Sequence, residues 1–393
     1  METRSAAPVR DLAAELAALD RQGLRRHRRL LDSAQGARVH VDGRDYLSFC
    51  SNDYLGLAAD SRIAEAAVAS IRAHGLGAGA SHLLSGHHRV HDDLERVLES
   101  FTGLPRALLF SSGYMANLAL VSVLAGRSSH IFADRLNHAS LNDAMLLSRA
   151  RCQRYAHCDL SALEILLTRS DAADKVVVTD AVFSMDGDIA PLADLARLCE
   201  RFGAWLVVDD AHGFGVLGKD GAGALSHFGL TGGQIAYMGT LGKAAGVCGA
   251  FVAGSEPLIN LLIQRARPYI YTTAAPPPMA AALIRSVELM QSEGWRRQRL
   301  VELSARIAQK LVTSRWRLLP SRTAIHALIV GENDETMALS AALAGEGILV
   351  PAIRPPTVPK GSARLRISLS AAHTLTDVDL LIDALRRAEA MWS

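Results

Sequence analysis

Cysteine is scarce in this sequence, and its placement gives it no structural work. The five cysteines, Cys50, Cys152, Cys158, Cys199 and Cys248, form no CxxC pair and are odd in number. Neither a zinc cage nor a disulfide framework is indicated, so reduced thiols and a cytoplasmic location are expected. Aromatic residues are also few, at 5%. No apolar run approaches the roughly 18 residues that a membrane-crossing helix needs, which argues against a membrane protein. Neither sign of charge dominates: 42 Lys and Arg stand against 40 Asp and Glu. A formal charge of +2 offers no global field for nucleic acid. The opening METRSAAPVRDLAAELAALD lacks the apolar core of a signal peptide, and its acids argue against a transit peptide. Internal repeats and low-complexity tracts are missing as well.

The chain does have length and glycine. Its 393 residues exceed what one hydrophobic core usually serves, so more than one domain is expected. Thirty-one glycines imply many tight turns. Residues 8–31 read as an amphipathic helix that ends in the basic LRRHRRLL. HVDGRDYLSF (40–49) reads as a hairpin turning at Asp42-Gly43. From there to about residue 280, apolar runs at 106–110, 129–134, 175–180, 204–210 and 235–240 alternate with helical patterns, one of which, 192–203, closes on Gly203. This alternation predicts an α/β fold with a mostly parallel sheet covered on both faces, and ligands at the carboxyl ends of its strands. After the prolines of YTTAAPPP comes a helical pattern reaching about residue 312, then short strands in HALIV and ARLRISL, as in a smaller α+β domain. The expected division is an N-terminal segment 1–48, a large domain 49–280 and a small C-terminal domain 281–393.

One lysine, Lys243, sits in MGTLGKAAGVCGA (238–250) among small and apolar residues. Burial penalises its ammonium, lowers its pKa and makes it a usable amine nucleophile or Schiff-base former. Three strand ends deliver polar residues to the same predicted crevice. AWLVVDDAHGFG ends a buried strand at Asp209, with His212 three residues on, and a buried carboxylate needs a partner. VVVTDAVFSMDGD brings Asp180, Ser184 and Asp186. ALLFSSGYMAN turns through Gly113 and Tyr114 into a helix whose first N–H groups suit a phosphate. A phosphate, a ring nitrogen wanting a carboxylate and an aldehyde for a lysine define one ligand, pyridoxal 5′-phosphate (PLP).

VVDDAHGFG, TxGK, SNDYLGL and VFSMDGD together resemble the α-oxoamine synthases, PLP enzymes of the fold-type-I aminotransferase architecture. The resemblance runs from about residue 10 to 390. GASHLLSGHHRVHDDLE and AIRPPTVPKGSARLRISLSAAHT are most similar to the branch of that family that makes a biotin precursor from L-alanine and a pimeloyl thioester. The resemblance implies that Lys243 is the Schiff-base lysine and Cα proton acceptor, that Asp209 pairs with the pyridinium, and that His138 stacks on the ring. It places His212 and Ser184 near the ring hydroxyl, Thr240 at the phosphate, and Gly113 and Tyr114 at the glycine-aromatic cofactor position. Arg25, His138 and Thr357 align with substrate-contacting positions, while Asn52 and Arg354 would hold the amino-acid carboxylate. A second subunit would complete the cofactor site through Thr273, which makes a homodimer expected. The thioester could be carried by coenzyme A or by an acyl carrier protein docking near the basic stretch. Glycine C-acetyltransferase, or a synthase with a longer acyl donor, is the alternative activity. A PLP-free partner subunit is the alternative class, although it would need neither Lys243, Asp209 nor His138.

Two further signals lead nowhere in the sequence. His87 and His91 have the i, i+4 spacing of helical zinc ligands, but His88 stands where the metalloprotease pattern needs Glu and no further ligand is evident, so no metal is expected. HGLGAGASHL ends its glycine pattern on Ala80 and follows a helical pattern, so a dinucleotide role is not expected.

Overall fold

The structure, a computed structural model, describes residues 10–392. Among the described residues the strands are β1 (Arg38–Val41), β2 (Arg44–Ser48), β3 (Arg106–Phe110), β4 (His130–Asp134), β5 (Arg151–Tyr155), β6 (Lys175–Asp180), β7 (Ala204–Asp209), β8 (Ile235–Thr240), β9 (Ala250–Gly254), β10 (Arg317–Leu318), β11 (Ile325–Gly331), β12 (Ile348–Leu349), β13 (Ala352–Ile353) and β14 (Ala363–Ser368). A seven-stranded sheet in the order β3-β9-β8-β7-β6-β4-β5 forms the centre. The pairs from β5 through β8 are parallel, and β9 alone runs against its neighbours β3 and β8.

The inner strands β4, β6, β7 and β8 are largely apolar because both faces are buried. Val177, Leu206 and Val208 belong to one core and Val176, Val178 and Val207 to the other, the period-2 alternation of a sheet covered on both sides. Two strands carried no apolar signal that the sequence reading caught. β5 (RCQRY) is an edge strand with mostly exposed residues. β9 (AFVAG) is short and follows directly on the lysine loop.

The hairpin forms as read from its turn: Val41 pairs with Arg44, and Asp42 and Gly43 both take positive φ, 50° and 78°, as a type I′ turn requires. β2 also pairs in parallel with β12, so the hairpin is tied to a strand from the far end of the chain. A four-stranded sheet, β10-β11-β14-β13, completes the C-terminal part.

Two helical expectations are corrected. The first helix, α1 (Leu12–Arg21), is shorter than the expected 8–31; residues 8 and 9 lie outside the described residues. It buries no residue and ends before Gly23, at φ 62°. Residues 30–32 are recruited instead to the hairpin edge, where the Leu30 N–H donates to the Asp42 carboxylate (2.9 Å) and the Asp32 N–H to the His40 carbonyl (2.9 Å). The long pattern ending near 312 is two helices, Pro277–Ser292 and Trp295–Lys310. They break at Glu293-Gly294, where the Glu293 carboxylate accepts from Arg62 (2.6 Å) and Arg296 (2.7 Å). Pro277 and Pro278 occupy the first turn, where a missing N–H costs nothing.

Candidate active site

Four further helices precede or reach the site: α2 (Ser61–His74), α3 (Arg89–Thr102), α4 (Gly113–Leu124) and α5 (Ala139–Ser148), the last two carrying site residues. The carboxyl ends of β6, β7 and β8 stand side by side, with Asp180 opposite Asp209 and Asp209 opposite Met238. Past the end of β7, the chain sends the two aspartates to different tasks. Asp209 accepts from Asn117 Nδ2 (2.7 Å) and the Ala211 N–H (3.0 Å). Asp210 accepts from the Ala224 N–H (2.6 Å) and the Tyr237 hydroxyl (2.8 Å), and burial pushes it up to about 7. Asp180 is pushed well above the carboxylate range by burial and by neighbouring Asp209, while it accepts from the His138 N–H (3.2 Å).

Lys243 lies in the loop between β8 and β9, with its Nζ 2.9 Å from His212 Nε2. Burial lowers the lysine to about 8 and the imidazole well below its ordinary value. His212 Nδ1 meets the Tyr54 hydroxyl at 2.6 Å. Small residues in and just before this loop let neighbouring backbone and rings pack closely. A Cβ at Gly246, whose φ is 70°, would lie 2.6 Å from the backbone of Leu57 and Ala58, and one at Gly239 would strike the Phe251 ring at 2.5 Å. Ala244 and Ala245 are buried in the core.

His138 caps the start of α5, and its Nδ1 faces the Ser140 hydroxyl (2.7 Å) and accepts from the Ser140 N–H (3.3 Å). Ser140 Oγ in turn accepts from Asn117 Nδ2 (2.9 Å), so its proton goes to His138 Nδ1, leaving Nε2 as the N–H of the ring. Gly113 and Tyr114 open α4, whose first N–H groups have no intrahelical acceptor. Thr240 lies against Gly113, where a Cβ would sit 3.9 Å from the threonine's own Cβ.

The expected substrate residues fall into two groups. Asn52 Oδ1 accepts from Arg366 Nη1 (3.1 Å) and from the Tyr54 hydroxyl (3.1 Å), next to His212. Arg366, which the sequence reading passed over, also donates to the Ser184 carbonyl (2.5 Å), so it joins Ser184 to Asn52. Arg354 is not in that network: its guanidinium donates to the Gly23 carbonyl. Near it, Thr357 Oγ1 accepts from Arg26 (3.5 Å), while exposed Arg25 pairs with Asp20 (2.5 Å). Thr273 is exposed, in a segment held by the Ala274 N–H donating to the Ala80 carbonyl (2.9 Å). Asn117, Tyr54 and Arg366 were each inside a quoted motif. Asn117 falls one turn after Gly113, and Arg366 shares a strand face with Arg364 in ARLRISL, which is the signal that could have found them.

The family model for aminotransferase class I and II matches residues 44–385. By identity, the chain matches the 8-amino-7-oxononanoate synthases of Herminiimonas arsenicoxydans at 57%, over 96% of this chain and 99% of that one, and of Nitrosomonas europaea at 57%, over 96% and 98%. A solved Sphingomonas wittichii serine palmitoyltransferase superposes with a TM-score of 0.91 at 31% identity, covering 97% of each chain. The chain belongs to the class I and II aminotransferases and, within them, to the 8-amino-7-oxononanoate synthase family.

PLP is the cofactor of this architecture, and the residues present fit it. Asp209 is a buried carboxylate held only by neutral N–H donors, which leaves a place for a protonated ring nitrogen. Buried Asn117 Oδ1 has no partner among the described residues. Lys243 supplies the amine, and the start of α4 supplies N–H groups for the phosphate.

Proposed function

We propose that this protein condenses L-alanine with a pimeloyl thioester, giving 8-amino-7-oxononanoate, CO₂ and free thiol. The observation that carries this reading is identity of 54–57% to relatives of that name over nearly the whole chain, joined to the convergence of Lys243, Asp209 and His138 on one crevice.

PLP, when bound, supplies an aldehyde for the amino group and a ring that takes up electrons from Cα. Asp209 holds the proton on the ring nitrogen, and Asn117 fixes its orientation. Lys243, lowered to about 8, keeps an appreciable unprotonated fraction near neutrality and removes the Cα proton; a positioned base of this kind contributes roughly 10²–10⁴-fold. His138 would cover the ring face, and His212 and Ser184 would stand at the ring hydroxyl. Gly113, Tyr114 and Thr240 take the phosphate. Asn52 and Arg366 receive the alanine carboxylate, a guanidinium being suited to it. Cα then forms a bond to the acyl carbon, the C–S bond breaks, the thiolate takes a proton, and the β-keto acid loses CO₂, leaving an electron pair on Cα that takes a proton.

Arg25, Arg354 and Thr357 contact the donor side. Beside them Arg26, Arg28 and Arg29 are exposed, a face that suits an anionic donor such as coenzyme A or an acyl carrier protein. The working form is a cytoplasmic homodimer in which Thr273 completes the partner's site. Among the described residues no helix is long and apolar enough to cross a membrane. Incubation with L-alanine and pimeloyl-CoA, followed by mass spectrometry, tests the reading. Release of 8-amino-7-oxononanoate supports it, and turnover of glycine with acetyl-CoA in its place rejects it.

A further inference from the structure

Five of the chain's 14 histidines, His74, His82, His87, His88 and His91, lie within one short stretch, and in the fold their rings gather. His82 and His87 have ring centres 5.1 Å apart, His82 and His91 5.1 Å, and His87 and His91 5.5 Å. The sequence shows only His87 and His91 at i, i+4, and in the fold His87 lies just before α3, whose N-cap is His88. The single turn of helix at His82–Gly86 folds back and adds His82 as a third imidazole.

Ligand nitrogens of His82, His87 and His91 all lie within 4.8 Å of one another. His82 Nδ1 and His87 Nδ1 face each other at 2.8 Å, so the two lone-pair positions share a single proton. Around a tetrahedral ion with metal–nitrogen bonds of about 2.0–2.1 Å, the same two nitrogens would stand about 3.3 Å apart, a small outward step. His91 is already oriented as a ligating histidine is: its Nε2 donates to the Ala275 carbonyl (2.8 Å), which fixes Nδ1 as the lone-pair nitrogen. Nδ1 now accepts from the His88 N–H (3.0 Å), a bond that a metal would replace. His82 is pinned by stacking on Tyr269 at 5.3 Å, whereas His87 is exposed and leaves an entry path.

We propose that His82, His87 and His91, none of which is assigned to PLP, form a binding site for a divalent transition metal of the zinc class. Three imidazoles with an open fourth position suit Zn²⁺, Cu²⁺ or Ni²⁺ and disfavour Mg²⁺ or Ca²⁺, which take oxygen. Burial keeps all three rings below their ordinary value, His82 at about 3 and His91 at about 4, so they stand in the uncharged form that binds metal. The ion would tie the His82–Gly86 turn to α3 and, through His91 and Ala275, to the segment that carries Thr273.

The test is calorimetric titration of the PLP-loaded protein with ZnCl₂, alongside thermal unfolding with and without zinc. His87→Ala alters an exposed side chain and leaves the fold alone. His74→Ala, at the exposed end of α2, removes a neighbouring histidine outside the set. The expected result is one ion per chain, at least tenfold weaker binding in His87→Ala, and unchanged binding in His74→Ala. Unfolding temperature should rise with zinc in the parent and in His74→Ala only. Binding that is equal in parent and His87→Ala, as exposed Cys50, Cys152 or Cys248 would give, overturns the proposal, and so does no binding at all.

Discussion

Lys243 and His212 meet nitrogen to nitrogen at 2.9 Å, so the reactive amine faces a neutral imidazole instead of a carboxylate. With no anion in contact, burial dominates and the lysine falls from 10.5 to about 8. The folded value lies below the unfolded one, so between those pH values the unfolded chain binds more protons and stability rises with pH. Lys243→Met should therefore stabilise the PLP-free protein at pH 7 by at most about 3 kcal/mol, with the gain gone near pH 10.5. Denaturant unfolding at pH 7 and pH 10 checks this. An equal gain at both pH values would mean that the lysine's charge is not penalised.

Asn117 gives one amide group to both Asp209 and Ser140. Asn117→Ala should leave Asp209 short of a donor and weaken PLP binding roughly tenfold, about 1.4 kcal/mol, as read by titrating the visible band. Asp209→Asn removes the charge itself, and turnover should fall by roughly 10²–10⁴-fold with the overall circular dichroism unchanged.

The proposed division of labour between two arginines can be tested directly. Arg366 touches Asn52, and Arg354 touches the Gly23 carbonyl. Arg366→Lys should raise KM for L-alanine at least tenfold through loss of the two-pronged contact, while Arg354→Lys should act on KM for the thioester. The reverse pattern would return the carboxylate to Arg354.

How much of this was legible follows from where the signal sits. Strands β4, β6 and β7 and the helix closing on Gly203 announced themselves because buried parallel strands are unbroken apolar runs and a left-handed glycine ends a helix. β5 did not, because its residues RCQRY are mostly exposed and give no apolar run. Lys243, Asp209, His212 and His138 were visible as polar residues at strand ends. Arg366 was not, because its neighbours Asn52 and Ser184 are more than a hundred residues away and only the fold brings them to it. His82 escaped for a related reason: the turn that carries it has no regular period to read.

His157 lies between two carboxylates, with Nδ1 3.1 Å from both oxygens of Asp134 and Nε2 2.8 Å from Asp188. Burial opposes its charge, but the carboxylates push it up to about 12. A histidine raised in this way contributes in full below its unfolded value near 6.5 and loses that contribution as pH climbs toward 12. His157→Gln should lower the unfolding temperature more at pH 6 than at pH 10. A gap independent of pH would mean that the ring is held by packing alone.

Titration of the PLP-loaded protein with L-alanine, glycine and L-serine in turn, followed by visible absorption, tests the central claim most directly. L-Alanine should shift the band at the lowest concentration, and Lys243→Ala should show neither the band nor the shift. A preference for glycine or L-serine would contradict the assignment of L-alanine as the substrate, and absence of any band after PLP addition would contradict the assignment of the crevice itself.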